Sequence, residues 1–199
     1  MRICRKSTEV LCRDTSGSAA VEFALVAVPF LGLVAAIIQI AFLTWASQNF
    51  DRALQTAVRT ILTGQFQIAN AGQTDAATLL ANLKTTMCGT SAAPIVNVFN
   101  CQNVKIDVQT ASTFASAQNS TPVNTATGTW NTSFGSNYAC AQPGTIVIVT
   151  AAVPFPTFLG MLGLNLKTFT SGTDTGSHLL MSTAVFRTEP YLAGNASAC

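Results

Sequence analysis

A single carboxylate stands inside an otherwise uncharged apolar segment near the start of the chain. Glu22 is the fifth residue after Gly17, and no charged residue occurs from Phe23 to Trp45. An ionisable group at membrane depth raises the free energy of an isolated helix, so such groups usually pair with another group or serve a function. Glu22 is therefore the first candidate functional residue, and the chemistry expected of it is pairing with a cation.

Cysteines are the second set of residues with chemical meaning. Cys4 and Cys12 precede the apolar segment, whereas four others follow it: Cys88, Cys101, Cys140 and Cys199. Four cysteines in an oxidising compartment allow three pairings. We favour Cys88–Cys101, which closes a short loop, together with Cys140–Cys199 at the chain's end. Zinc is the competing interpretation, but the sequence has no paired CxxC motif, so no metal site and no cofactor are expected.

A catalytic site would have to use the only histidine, His178. Its neighbours Asp174 and Ser177 belong to a polar turn that lacks a GxSxG elbow, so a solvent-exposed turn histidine is the preferred interpretation. After Gly17 the chain carries six basic and six acidic side chains, and hence no net side-chain charge. Because no basic patch exists, nucleic-acid binding has no electrostatic support. We expect no catalytic residue and no small-molecule substrate.

The element that must position Glu22 is a membrane-spanning helix. The 23 uncharged residues Phe23 to Trp45 would form a helix about 34 Å long, against a hydrocarbon core of about 30 Å. Only Glu9 and Asp14 are acidic before Gly17. The basic residues there are Arg2, Arg5, Lys6 and Arg13. Because basic flanks stay cytoplasmic, everything after Trp45 is predicted to be exported.

This order of a basic leader, a glycine and a glutamate at the fifth following position resembles the class III signal of type IV pilin-like proteins. The resemblance implies that a prepilin peptidase cuts between Gly17 and Ser18 and leaves the apolar helix on the mature protein. An ordinary secretory signal has a shorter apolar core, about 7–15 residues, that is removed. The alternative that remains is an uncleaved single-span anchor in which Glu22 merely lies near the interface.

Cleavage would give Glu22 a partner. It creates an ammonium group on Ser18, and that group, placed against Glu22 of a neighbouring subunit, would offset the carboxylate charge in a low-dielectric setting. The pair would also set the axial register between helices. Only a cleaved chain carries both groups, so processing would be a condition for assembly.

The helical pattern continues past the membrane segment. An amphipathic stripe recurs at i, i+4, i+8 and i+11, and Gly64 is a natural stop, so one helix from about Ala19 to Thr63 is expected. The stripe consists of Phe50, Leu54, Val58 and Ile61-Leu62. A second helix is predicted with Thr74 as its N-cap and Asp75 in its first turn. Its buried face would be Leu79, Leu80, Leu83 and Met87.

Three strands are predicted after these helices. In the first, Val104, Ile106 and Val108 alternate with Lys105, Asp107 and Gln109, the pattern of a half-buried strand. Residues Thr145 to Val153 form the central strand, ended by Pro154 and Pro156, and Leu179 to Arg187 form the third. Residues Thr110 to Gly144 are expected to make a long surface loop. Its anchors would be Trp130, Phe134 and Tyr138.

Residues Ser18 to Gln65 resemble the TadE-like family, minor pseudopilins of the tight-adherence (Tad) pilus system. The stretches AVEFALVAVPF and AVRTILTGQ carry the likeness, and Phe23 fits the aromatic residue that the family usually has after the glutamate. The terminal TAVFRTEPY (183–191) also resembles the family's last strand. The resemblance implies a role in building or priming adhesive pili, without catalysis. Arg187 and Glu189 are interpreted as a surface ion pair or strand-end residues, worth about 0–1 kcal/mol.

The sequence thus predicts an α+β, pilin-like chain. Its parts are a leader (1–17), a transmembrane helix (18–45), an amphipathic continuation (46–64) and an extracytoplasmic head (65–199) with a second helix and an antiparallel sheet of about three strands. The function expected is that of a pilus assembly protein of the bacterial inner membrane, single-pass, with a cytoplasmic N-terminus and a periplasmic head that can enter the pilus. Its expected partners are the prepilin peptidase, other pilin-like subunits, assembly platform proteins and membrane lipid. The alternatives are an uncleaved scaffold and a membrane-anchored periplasmic hydrolase.

Overall fold

A computed structural model describes residues 17–90, 92, 95–158 and 166–191. The chain divides into two compact units, Met1–Ala41 and Phe42–Cys199. The predicted α+β class is confirmed, with one long apolar helix followed by further helices and a three-stranded antiparallel sheet. The helices are α1 (Ser18–Leu62), α2 (Gln65–Ala69) and α3 (Ala76–Cys88). The strands are β1 (Lys105–Ala111), β2 (Val123–Asn124), β3 (Thr129–Trp130), β4 (Ile146–Pro156) and β5 (Ser177–Arg187).

The second half of α1 supplies one side of the core of the second unit. The predicted apolar stripe is confirmed, because Phe50, Leu54, Val58 and Ile61 are all buried. The helix ends at Leu62, and Gly64 follows with a left-handed φ of 77°. Left-handed backbone carries little strain in glycine, which explains why the helix stops there. The short helix α2, which was not predicted, begins directly after this turn.

Helix α3 begins one residue later than predicted. Its N-cap is Asp75 and not Thr74, and the Asp75 carboxylate accepts a hydrogen bond from the Thr78 backbone N–H at 2.9 Å. Hydrogen bonds from the Thr78 side chain and backbone lower the pKa of Asp75. Both residues are good caps, and only the local backbone path decides between them. The predicted buried face of Leu79, Leu80, Leu83 and Met87 is confirmed.

Strand β4 is central, as predicted, with β1 and β5 antiparallel on its two sides. It does not end before Pro154, however, but runs on to Pro156. The register explains this difference. Strand β1 begins opposite Ala152, so beyond that residue β4 pairs with β5 alone. Proline lacks a backbone N–H and is tolerated in a strand where one edge needs no donor.

The alternation predicted for β1 fails at Asp107, which is only 2% exposed. Its carboxylate accepts hydrogen bonds from the Gly135 N–H at 2.7 Å, from the Asn137 N–H at 3.3 Å and from the Asn137 side chain. The predicted surface loop therefore folds over this face of the sheet and supplies donors to the buried charge. Burial of a carboxylate without such partners would be costly.

All three residues predicted to anchor the loop make aromatic contacts. Trp130 stacks on Phe134 with ring centroids 6.1 Å apart and also contacts Phe169, while Tyr138 lies 6.1 Å from Phe66. Burial raises the pKa of the Tyr138 phenol, and Tyr191 nearby raises it further. The loop is more ordered than predicted, because it contains the β2–β3 hairpin and a 3₁₀ turn at Phe114–Ser116.

A disulfide joins Cys88 at the end of α3 to Cys101, as predicted. The two residues are 13 apart in sequence. Cys140 is also disulfide-bonded. Cys199 lies outside the described residues, so the Cys140–Cys199 pairing stays a prediction, as do the reduced states of Cys4 and Cys12.

Replacing Cys88 and Cys101 together with serine should destabilise the head by about 3 kcal/mol, the chain-entropy value for a loop of this size. We expect faster digestion of the head by protease in membranes, with membrane insertion unchanged. The matched control is Cys12→Ser in the leader, which should leave the digestion rate as it is. Labelling of thiols under denaturing, non-reducing conditions provides a second check. A mature wild-type chain that takes up four labels would contradict the assignment of two disulfides.

Candidate processing and assembly site

The peptide bond expected to be cut lies at the very start of α1. Gly17 is exposed and Ser18 is the first residue of the helix. Apart from its chain neighbours, no described atom lies within 4 Å of the position where a side chain on Gly17 would begin. None of the described residues therefore crowds Gly17.

Glu22 lies one helical turn after Ser18. Residues four apart in a helix share one face, so the backbone nitrogen of Ser18 and the Glu22 carboxylate belong to the same side of α1. Glu22 is exposed, and none of the described residues pairs with its carboxylate. The neighbours Val21 and Phe23 are also exposed, at 62% and 75%. The Glu22 carboxylate thus lies on an apolar helix surface and has no partner among the described residues of one copy.

The apolar surface around Glu22 continues along the first unit. Large apolar side chains project from all sides of the helix: Leu25, Val26, Val28, Phe30, Leu31, Leu33, Ile37, Ile38 and Ile40 are each more than half exposed. By length and composition, α1 can cross a membrane. A helix that is apolar all round is stable only when lipid or other helices surround it. The described part of the chain therefore has one membrane-length apolar helix, consistent with a single-pass membrane protein.

The residues of the hydrolase alternative are not brought together as a triad. Nδ1 of His178 faces the carbonyl of Leu166, while the Asp174 carboxylate accepts the indole N–H of Trp130 at 2.7 Å. The Asp174 carboxylate is thus used in a structural hydrogen bond, and His178 belongs to strand β5 and not to an exposed turn. No described contact joins the side chains of His178, Asp174 and Ser177 in the order that nucleophilic catalysis needs.

Of the two interpretations of Arg187 and Glu189, the described contacts show residues at a strand end and no ion pair between them, since Arg187 is the last residue of β5. The guanidinium Nε of Arg187 donates to the Gly144 carbonyl at 2.8 Å, and the backbone N–H of Glu189 donates to the carbonyl of Leu62 at 2.9 Å. Glu189 therefore joins the terminal segment to the end of α1 through its backbone.

Tyr191 completes the contact between these two segments, and sequence reasoning missed its role. Its hydroxyl donates to the Ala141 carbonyl at 2.6 Å, and its ring lies directly over the α-carbon of Gly64. Thr188 is buried beside it and donates to the Gln142 carbonyl at 2.6 Å. The end of α1 and the end of the sheet are thereby fixed to each other.

Residues 17–59 match the family model described as TadE-like protein. The match begins at Gly17, includes Glu22 and Phe23, and ends inside the buried part of α1. Comparison with curated proteins and with solved structures returned no match. The similarity of this chain to the TadE-like protein family therefore lies in the N-terminal helix, over residues 17–59.

Proposed function

We propose that this chain is a non-catalytic minor pseudopilin that takes part in the biogenesis of an adhesive tight-adherence pilus. It inserts in the bacterial inner membrane through residues 18–45, with its N-terminus cytoplasmic and its head periplasmic. A prepilin peptidase then cuts between Gly17 and Ser18. The family is one of pilus proteins, which implies partners in the Tad pilus machinery.

One observation carries the proposal: the exposed apolar helix bears a lone carboxylate one turn from the bond to be cut, within the segment that matches the family. In water the helix would expose its apolar side chains, and in lipid it would bury an unpaired charge. Packing against other processed helices removes both difficulties, because their N-terminal ammonium groups can pair with Glu22.

The partners follow from the same chemistry. The prepilin peptidase acts on the leader, lipid surrounds the helix, and other pilin-like subunits and assembly platform proteins provide the helices that replace lipid. The roles need no nucleic acid, no small-molecule substrate and no cofactor. The four cysteines that follow the membrane helix serve as covalent links in the head.

The proposal predicts that the mature chain begins at Ser18. Intact-mass measurement of the protein extracted from membranes should show the loss of residues 1–17, because the peptidase removes the leader and nothing else. In a strain without prepilin peptidase, the same measurement should find the leader still attached.

A chain that retains its leader in cells with active peptidase would contradict the proposal and favour the uncleaved scaffold. The presence of the mature chain in pili sheared from cells would then distinguish a subunit that enters the fibre from one that only primes its assembly. A Gly17→Leu variant provides the matched control, since it keeps the charge pattern of the leader but removes the small residue at the bond.

A further inference from the structure

Four large apolar side chains of the second unit are exposed close to the residues with which that unit begins. Trp45 is 55% exposed, Ile95 48%, Val96 92% and Phe158 65%. We call this set the apolar rim. Exposed apolar side chains in a cluster indicate a surface that contacts something other than water.

Aromatic contacts fix the strand end that precedes Phe158 near the beginning of the unit. The ring of Phe155, three residues earlier, lies 5.5 Å from that of Phe42, and the Phe42 ring lies 5.7 Å from that of Trp45. Because Phe155 is itself buried, its position is fixed by the core. The end of β4 is thereby placed beside the first residues of the second unit.

A separate set of contacts joins the segment that directly follows Ile95 and Val96 to α1. The backbone N–H of Val98 donates to the side-chain oxygen of Asn49 at 3.2 Å, and the Phe99 ring packs edge-on against Phe50 at 4.9 Å. Asn49 lies one helical turn after Trp45, about 6 Å along the axis. The segments that carry Phe158 and Ile95-Val96 are therefore joined, through Phe155 and through Val98 and Phe99, to residues 42–50 of α1.

The opposite end of the head contains the last residues of α1 and the first residues of β4. Strand β4 extends about 33 Å from Ile146 to Pro156, and α1 rises about 30 Å from Phe42 to Leu62. The terminal segment contacts Leu62, and β1 ends with Ala111 opposite Ile146. Phe114 follows Ala111 by three residues and is 60% exposed. Phe114 is thus a phenylalanine of similar exposure to Phe158, at the other end of the sheet.

We propose that the apolar rim rests in the headgroup region of a lipid bilayer, so that the head contacts the membrane surface directly. Trp45 is the last residue of the uncharged run that begins at Phe23, so the rim contains the residue at which the proposed membrane segment, residues 18–45, ends. Aromatic side chains are favoured at that depth.

Charge supports lipid as the occupant. The rim contains no charged side chain, but the exposed Lys167 lies beside it. The residue after Lys167, Thr168, donates its N–H to the carbonyl of Ser177. Ser177 in turn pairs with Pro156 at the end of β4, two residues before Phe158. A lysine at the edge of an apolar surface suits the phosphate groups of lipids. This inference rests on the membrane insertion that forms part of the proposed function.

The test uses the full chain in phosphatidylethanolamine and phosphatidylglycerol vesicles, with and without a phospholipid brominated near the headgroup end of its acyl chains. In a Trp45→Phe background, tryptophan is introduced by Phe158→Trp or, as the matched control, by Phe114→Trp. Trp130 is present in every variant and supplies a common baseline. We expect brominated lipid to quench the fluorescence added by Phe158→Trp and to leave that added by Phe114→Trp unchanged.

The difference between the wild-type chain and Trp45→Phe reports insertion itself. Quenching of Trp45 without quenching at position 158 would overturn the lipid contact and leave the proposed function intact, as would equal quenching at positions 158 and 114. Absence of quenching at Trp45 would overturn both the lipid contact and the proposed membrane insertion. A Val96→Trp variant repeats the test on the second segment and should be quenched as position 158 is.

Discussion

Replacing Glu22 with glutamine should leave cleavage after Gly17 intact and reduce surface piliation sharply. The amide keeps the shape of the side chain and some hydrogen bonding but loses the charge that, in the proposed assembly, would pair with the ammonium group of a neighbouring Ser18. Breaking a desolvated pair by changing one partner costs about 2–5 kcal/mol, so association should weaken roughly 30-fold or more. Pili sheared from cells and quantified by immunoblot provide the measurement.

The matched control is Glu189→Gln. It removes the same charge from an exposed glutamate of the head, whose described contact is made by the backbone N–H and is therefore kept. Its piliation should equal that of the wild type. Normal piliation with Glu22→Gln, or an equal decrease in the control, would leave Glu22 as an incidental residue. Loss of cleavage in Glu22→Gln would assign the carboxylate to recognition by the peptidase.

Replacing Gly64 with alanine should destabilise the head by about 3–5 kcal/mol. The residue has a φ of 77°, where an L side chain costs about 1–2 kcal/mol. A Cβ there would overlap the ring of Tyr191, which would have to move and give up its hydrogen bond to the Ala141 carbonyl. A lost hydrogen bond and poorer ring packing add about 1 kcal/mol or more each.

Gly72→Ala separates backbone strain from this overlap. Gly72 has a similar φ of 82°, but a Cβ there would meet no atom within 4 Å. We expect a loss of only about 1 kcal/mol, and hence a fall in melting temperature of roughly 3 °C against about 10 °C for Gly64→Ala. Circular dichroism of the full chain in detergent micelles measures both. Equal shifts would show that the contact between Gly64 and Tyr191 does not stabilise the head.

The features that depend on local pattern could be predicted from the sequence. The uncharged run from Phe23 to Trp45 predicts a membrane-length helix, and the spacing of Phe50, Leu54 and Val58 predicts that the helix continues as an amphipathic one. The β-branched run near Thr150 predicts the central strand. In each case the period of apolar residues matches the period of one backbone conformation. The Cys88–Cys101 pairing was favoured for a similar reason, since a short loop is easily closed.

The features that depend on distant residues were decided by the tertiary structure. Asp107 looked like a solvent-facing strand residue, and it is buried because Gly135 and Asn137, far along the chain, donate hydrogen bonds to it. Pro156 remains within β4 because β1 begins opposite Ala152, so no residue of β1 needs a backbone N–H from Pro156. Neither outcome is encoded in the period of the nearby residues, since each depends on where another segment packs.

The same distinction applies to the candidate site. Gly17, Ser18 and Glu22 lie within six residues of one helix, so their proximity follows from the sequence and the helical repeat alone. The contact of Gly64 with Tyr191 and the ring contacts of Phe42 with Phe155 and of Phe50 with Phe99 join segments that are far apart in the chain. Such contacts arise from the packing of whole elements around a common core, and only the tertiary structure determines them.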